Sequence, residues 1–249
     1  MTKAIFDIYS HYYDLLYKDK NYLHEVKYIK DLLRHHGISK GNILEFGSGT
    51  GKHGYLLGKK GYNVHGVELS KDMVSRIKTH SKFKCQQGDI AKVNIDKSFD
   101  AVISLFHVIS YQTTDNQIKA VFENASNHLT NDGLFIFDIW YSPAVNYKKP
   151  SVRVKRVKNN KYSIIRIAEP QCYPNNNLVD VEYTFFVKKL DDNLITQFEE
   201  HHSLRHFSIS EIDELAQLYD FKRVDAQEFI TKKNPSRDTW GICITLKKN

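Results

Sequence analysis

Cysteine is scarce in this chain: Cys85, Cys172 and Cys243 are the three in 249 residues, odd in number and far apart. That excludes a disulfide framework and a cysteine-based zinc site, and it fits a protein kept in a reducing cytoplasm. No metal centre is expected. Long apolar runs are also missing. Nothing approaches the roughly 18 consecutive apolar residues of a membrane span, so no membrane association is expected. Residues 1–13 carry charges and tyrosines where a secretory leader needs an apolar stretch. Internal repeats and low-complexity segments are absent.

What is present is an ordinary soluble composition, 41% hydrophobic and 26% charged. A chain of this length should bury roughly 70–75% of its unfolded surface. Lys and Arg outnumber Asp and Glu, for a net charge of +7. Such a balance suits a nucleic acid or a phosphorylated small substrate. The cations are spread out except at Lys148, Lys149, Arg153, Lys155, Arg156, Lys158 and Lys161, which read as a solvated strand face or loop in preference to an RNA surface.

Tyr9, Tyr12, Tyr13 and Tyr17 crowd the opening segment. Val26, Ile29, Leu32 and Leu33 then mark a helix from Tyr22 that stops at Gly37. Strands and helices alternate after it: strand Asn42–Phe46, helix Lys52–Lys60, strand Tyr62–Glu68, and a helix capped by Ser70 that runs to Ser81. Strands Phe83–Gln86 and Ala101–Leu105 follow, then helix Asn116–Leu129, a turn at Asn131–Gly133 and strand Leu134–Ile139. This alternation implies a parallel sheet covered by helices on both sides. After Pro143 the texture becomes β-branched and alternating, with turn signals at Asn159–Asn160, Pro174–Asn177 and Asp191–Asn193, as in an inserted antiparallel lobe. A helix capped by Ser210 and strands Arg223–Phe229 and Trp240–Leu246 complete the chain.

The densest chemical signal is Asn42-Ile-Leu-Glu45-Phe-Gly47-Ser-Gly49-Thr-Gly51-Lys-His-Gly54. Glycines let the turn after the first strand bend and let a ligand approach the backbone, and the next helix offers free N–H groups. Gly49-x-Gly51-x-x-Gly54 also matches the dinucleotide fingerprint, with Glu68 placed as its ribose acid. Two features favour a compact adenosyl amino acid over a pyrophosphate. Glu45 would repel phosphate but could take an ammonium, directly or through water. Gly88-Asp89-Ile90 follows the third strand, where a carboxylate can meet an adenine edge.

Over residues 40–140 and again at the C-terminal strands, these motifs make the chain resemble the class I S-adenosylmethionine-dependent methyltransferases. The resemblance implies an α/β fold, a Rossmann-like seven-stranded sheet carrying the inserted β lobe, with S-adenosyl-L-methionine as cofactor. It implies that Glu45, Gly47, Gly49 and Gly51 hold the methionine moiety and Glu68 the ribose, while Leu69, Met73 and Asp89, flanked by Ile90 and Leu105, surround the adenine. A narrower resemblance rests on Tyr13-Asp14-Leu15 with Tyr22, Gly51-Lys-His53, Phe106 with Ile109, Trp140 with Pro143, Glu199-Glu200-x-His202 and Arg237. It points to bacterial methyltransferases of sugar-nucleotide metabolism that act on amino groups of deoxysugars. It implies that Tyr13 and Tyr22 close over the donor and that Trp140 and Arg237 meet the substrate, Arg237 at a phosphate. Those enzymes tend to carry a histidine where this chain has Tyr111.

The expected catalytic candidates are therefore His107, Tyr111 and His202, with Glu200 a further base for a hydroxyl acceptor. The expected divisions are 1–145 for the N-terminal helix and donor-binding core, 146–207 for a lobe over the acceptor, and 208–249 for the last helix and strands. The expected partner is a phosphorylated small molecule, with no nucleic acid, and a homodimer is compatible. Competing readings are an RNA or protein methyltransferase using Lys148–Lys161, a nicotinamide-dependent oxidoreductase, and a binding protein that keeps the fold without the chemistry.

Overall fold

The computed structural model describes residues 10–192 and 194–249, so residues 1–9, with Tyr9, and the turn residue Asn193 lie outside it. In chain order the elements are α1 (Ser10–Leu16), α2 (Tyr22–His35), β1 (Asn42–Phe46), α3 (Lys52–Lys59), β2 (Asn63–Glu68), α4 (Lys71–Ser75), β3 (Phe83–Gln87), β4 (Phe99–Ser104), α5 (Asp115–His128), β5 (Leu129–Trp140) and α6 (Ser142–Tyr147). The lobe strands β6 (Arg153–Lys158), β7 (Tyr162–Tyr173), β8 (Leu178–Lys189) and β9 (Ile195–Arg205) come next, then α7 (Ile209–Leu218), β10 (Phe221–Glu228) and β11 (Gly241–Lys248).

Seven strands form one sheet in the order β3-β2-β1-β4-β5-β11-β10. The first five are parallel, β11 alone runs against them, and β10, antiparallel to β11, points the same way as the first five. The strands are apolar on both faces because helices cover both. Ile43, Ala101 and Ile103 face α2 and α3 through Val26, Ile29, Leu33 and Leu57, while Leu44, Phe46 and Val102 face Ile118, Val121 and Phe122 of α5 and Ile212 of α7. The order reverses between β1 and β4, where an open α/β sheet offers a crevice at the carboxyl ends of its strands.

The strands β6-β7-β8-β9 make a separate antiparallel sheet in sequence order. Leu16 of α1 is fully buried with Val157, Ile164, Phe185 and Phe198 of the lobe. At its other end the lobe is tied to the core by Phe207 N–H to Trp140 O at 3.0 Å and Ser142 N–H to Phe207 O at 2.9 Å. Among the described residues no helix is long and apolar enough to cross a membrane.

Three local expectations are corrected. The helix after Ser70 stops at Ser75 instead of Ser81. Arg76 and Ile77 bond back only three residues, to Met73 and Val74, which tightens the chain and brings Ile77 in beside Gly51. The cap of α7 is Ser208 instead of Ser210, because Ser208 and Glu211 exchange the reciprocal bonds of a capping box. The turn at Asn131–Gly133 is absorbed into β5 as an irregularity, with Asp132 left-handed at φ 61°.

Candidate active site

The donor side begins with the turn after β1. Gly47 has φ +70°, and a Cβ there would stand 2.5 Å from Val108 Cγ2, so no other residue fits without movement. Gly47 and Ser48 N–H both donate to Val67 O, which folds the turn against β2. Gly54 is needed for close approach: its Cβ would lie 2.3 Å from Phe83 and 2.6 Å from Glu45 Oε2. The third glycine of the literal dinucleotide fingerprint is therefore a packing position.

Two carboxylates organise this turn. Glu45 is 1% exposed and accepts the Ser48 hydroxyl at 2.9 Å. Burial pushes it up to about 8, opposed by the Ser48 bond and helped by the nearby Glu68 charge. Its carboxyl is turned into the loop, beneath Gly54. Glu68 ends β2, accepting Gly49 N–H at 2.8 Å on one oxygen and Ser70 N–H at 2.9 Å on the other. Burial also raises Glu68, against the pull of those N–H groups. Gly49 itself faces open space, with nothing within 4 Å of where a Cβ would be.

Beyond β2, Leu69 is 69% exposed, an apolar side chain left uncovered next to a buried acid. Met73, Ile90 and Leu105 are buried. Asp89 turns one oxygen back to Ala91 N–H at 2.9 Å. This set fits an adenosyl amino acid: a carboxylate for a ribose diol, an open glycine backbone and an uncovered apolar surface for a base.

Above the turn, α1 and the start of α2 form a roof. Asp14 accepts the Thr50 hydroxyl at 2.9 Å and pairs with Lys52 at 3.4 Å. Tyr13 and Tyr22 share a side-chain hydrogen bond, Tyr13 packs on Tyr17 at 4.8 Å, and Tyr22 meets His53 edge-on at 5.0 Å. Lys20 lies 3.4 Å over the Phe106 ring and 3.2 Å from Glu25, which also holds His53 at 2.6 Å. Burial lowers Lys20, while Glu25 and Asp138 oppose the shift.

The acceptor side gathers at the ends of β4 and β5. The Tyr111 hydroxyl is 2.8 Å from His202 Nδ1, and His202 Nε2 is 3.1 Å from Glu200 Oε2, a chain of three that joins core to lobe. Tyr183 meets His202 edge-on at 4.9 Å. Burial raises the Tyr111 phenol well above its ordinary value. His107 lies 2.9 Å from Asp138 and 6.1 Å from the Trp140 ring, which in turn packs on Trp240 at 5.9 Å.

Residues 43–133 match the family described as a methyltransferase domain. The chain is a methyltransferase. S-adenosylmethionine is the methyl donor for this domain. Among curated relatives, it is 26% identical over 179 residues to the dTDP-3-amino-3,4,6-trideoxy-alpha-D-glucopyranose N,N-dimethyltransferase of Streptomyces venezuelae, covering 69% of this chain and 73% of that one. Its fold is similar to that of an S-adenosylmethionine-dependent methyltransferase from Clostridium acetobutylicum, with a TM-score of 0.80, 22% identity and 98% coverage of each chain. The fold is also similar to CalS10, an amino pentose methyltransferase from Micromonospora echinaspora solved with S-adenosylmethionine bound, with a TM-score of 0.78, 19% identity and 98% coverage of each chain.

In this methyltransferase Glu45, Gly47, Gly49, Gly51 and Glu68 share the turn and Tyr13 and Tyr22 lie in its roof, while Leu69 and Met73 follow β2, Asp89 and Ile90 follow β3 and Leu105 follows β4; His107, Tyr111, His202 and Trp140 gather at the ends of β4 and β5. Arg237 stands apart: it is exposed, with its guanidinium 4.3 Å over the Tyr147 ring of α6. The cationic run Arg153–Lys158 forms the edge strand β6. Sequence reasoning missed Lys20, Glu25 and Asp138. Asp138 did leave a signal, since it is the one charge inside the apolar run Leu134–Trp140.

Proposed function

We propose that this methyltransferase transfers methyl groups to the amino group of a nucleotide-linked deoxysugar. The observation that carries the reading is the Tyr111–His202–Glu200 chain. In this reading that buried polar chain, running from the lobe to the ends of β4 and β5, backs the acceptor within reach of a donor held at the Gly47–Gly51 turn. The similarity to the Streptomyces venezuelae dimethyltransferase supports an amino sugar linked to dTDP. In this reading residues 1–145 and 208–249 hold the donor and residues 146–207 cover the acceptor. Glu68 takes the ribose hydroxyls and Leu69 and Asp89 the adenine. The methionine moiety lies against Glu45 and the glycines, under Tyr13 and Tyr22. Trp140 packs on the sugar, and Arg237 leaves Tyr147 for a phosphate.

Catalysis is then largely alignment. The bound donor supplies a methyl already activated by its sulfonium, so the protein's tasks are to aim the acceptor lone pair at that methyl, exclude water and receive a proton. Tyr111, held by His202, orients the acceptor. A panel of dTDP-linked amino sugars, the matching free amino sugars and RNA, incubated with labelled S-adenosylmethionine and read by mass spectrometry, tests the proposal. Methylation of a nucleotide-linked amino sugar alone is expected. Methylation confined to RNA, or no turnover of any nucleotide sugar, rules the reading out.

A further inference from the structure

The loop leaving β4 holds an unfavourable backbone. Phe106 and His107 are both left-handed, at φ 69° and 61°, a conformation that is costly for a non-glycine residue. Two in succession persist only where the surroundings over-determine them. Those surroundings centre on Asp138, a carboxylate 1% exposed within an apolar strand. One of its oxygens accepts the His107 backbone N–H at 3.2 Å, and the other lies 2.9 Å from His107 Nδ1.

Burial works to raise Asp138, yet its contacts with His107, aided by Lys20, hold it below the usual carboxylate range. The Nδ1 contact has ion-pair distance without an aligned hydrogen bond; because an ionised carboxylate only accepts, the neutral ring that suits this neighbour carries its proton on Nδ1 and a lone pair on Nε2. Phe106 on one side, Trp140 on another and the bare backbone of Gly241 pack around the ring. The two histidines of the acceptor side therefore differ. His202 is 3% exposed with both ring nitrogens engaged, by Tyr111 and by Glu200, whereas the His107 side chain is 28% exposed.

We infer that His107 Nε2 receives the proton lost by the acceptor nitrogen, and that Asp138 is the positioning residue that sets the tautomer and aim of that imidazole. This rests on the amine methylation proposed above. The donor, when bound, supplies a methyl whose C–S bond breaks as the N–C bond forms, the electron pair passing to sulfur. The methylated nitrogen is left with a surplus proton, which moves to the Nε2 lone pair. The imidazolium so formed stands against the Asp138 carboxylate and later releases its proton to water, restoring His107. The titratable groups facing this pair are Lys20, over Phe106, with Glu25 and His53 behind it, and the Cys243 thiol of β11, which stands opposite Asp138 in the sheet; Trp140 and Gly241 do not titrate.

The test joins two readouts. Imidazole nitrogen shifts from isotope-labelled, ligand-free protein near pH 8 should show His107 protonated at Nδ1 in the wild type, and a shift toward Nε2–H in Asp138→Asn. Steady-state kinetics of His107→Gln should show kcat lower by about 100-fold, with the acid limb of the pH profile lost and S-adenosylhomocysteine affinity within about twofold of wild type. An Nε2–H tautomer in the wild type, an unchanged kcat in His107→Gln, or a parallel loss of S-adenosylhomocysteine affinity each overturns the assignment. The wild-type tautomer and His107→Gln decide it even if Asp138→Asn does not fold. Failure of every amino sugar to react would defeat the proposed function and leave the tautomer result standing, so the two can fail separately.

Discussion

The two sides of the cleft are assembled in different ways. The turn from Glu45 to Glu68 is built within two strands, one helix and one turn, with contacts such as Gly49 to Glu68 across 19 positions, and its roof adds His53 to Glu25 across 28 and Thr50 to Asp14 across 36. The acceptor side depends on one longer link: His107 to Asp138 spans 31 positions, and Tyr111 to His202 spans 91. The proposed donor side rests on backbone geometry and two buried acids, a solution that any substrate can share. The acceptor side uses side chains delivered by β4, β5 and a separate sheet, so changes there can alter what is methylated without disturbing how the donor is held.

Substitutions can break that division. The largest effect is expected for Glu68→Ala, which removes a charged acceptor from the proposed ribose contact; with two charge-assisted hydrogen bonds at about 1.5 kcal/mol each, donor affinity should fall on the order of 100-fold. Calorimetry with S-adenosylhomocysteine checks this, and an unchanged Kd would detach Glu68 from the donor. Glu45→Gln probes the second acid through stability. Because Glu45 sits at about 8 when folded against an ordinary value of 4.5, the native protein binds an extra proton between those two values. Its contribution is fully present below about pH 4.5 and is lost as pH rises through about 8, by up to about 1.4 kcal/mol per pH unit. Urea denaturation at pH 5.5 and 7.5 should therefore show a smaller pH-dependent loss in Glu45→Gln than in wild type; parallel slopes would count against it.

On the acceptor side the expected effects are smaller and of another kind. Tyr111→Phe removes one hydrogen bond to His202 and should lower kcat by about tenfold, near 1.4 kcal/mol, with donor Kd unchanged. A matching loss of donor affinity would mean that the two sides are not independent. Arg237→Ala should raise the KM for a nucleotide-linked acceptor by only about three- to fivefold, since an exposed charge contact contributes about 1 kcal/mol or less. If KM does not move, the phosphate role goes.

The same contrast explains what was legible in the sequence. The strand–turn–helix around Glu45 to Gly51 and the acid at Glu68 could be read directly because glycine spacing and strand ends are local properties. The parallel sheet covered by helices on both faces followed from alternation. Asp138 could be noticed as a charge in an apolar strand, but its partner could not, since β4 and β5 become neighbours only in the sheet. Lys20 and Glu25 gave no local sign that they would meet over Phe106. Ser210 resembles a cap by residue type, but Ser208 stands three residues before Glu211, the spacing a capping box requires. The helix beyond Ser70 looked longer because Ile77 fits a helical face, yet it packs by a tightened turn instead.

The basic strand of the lobe has a further consequence. β6 is an outer strand of the lobe, and an outer strand presents unpaired backbone groups to any similar strand it meets. Arg153, Lys155, Arg156 and Lys158 occupy four of its six positions. A second copy adding edge to edge at β6 would set cation against cation along the whole strand. These charges act as a guard against fibrous association, and neutralising them would test colloidal stability before it touched catalysis.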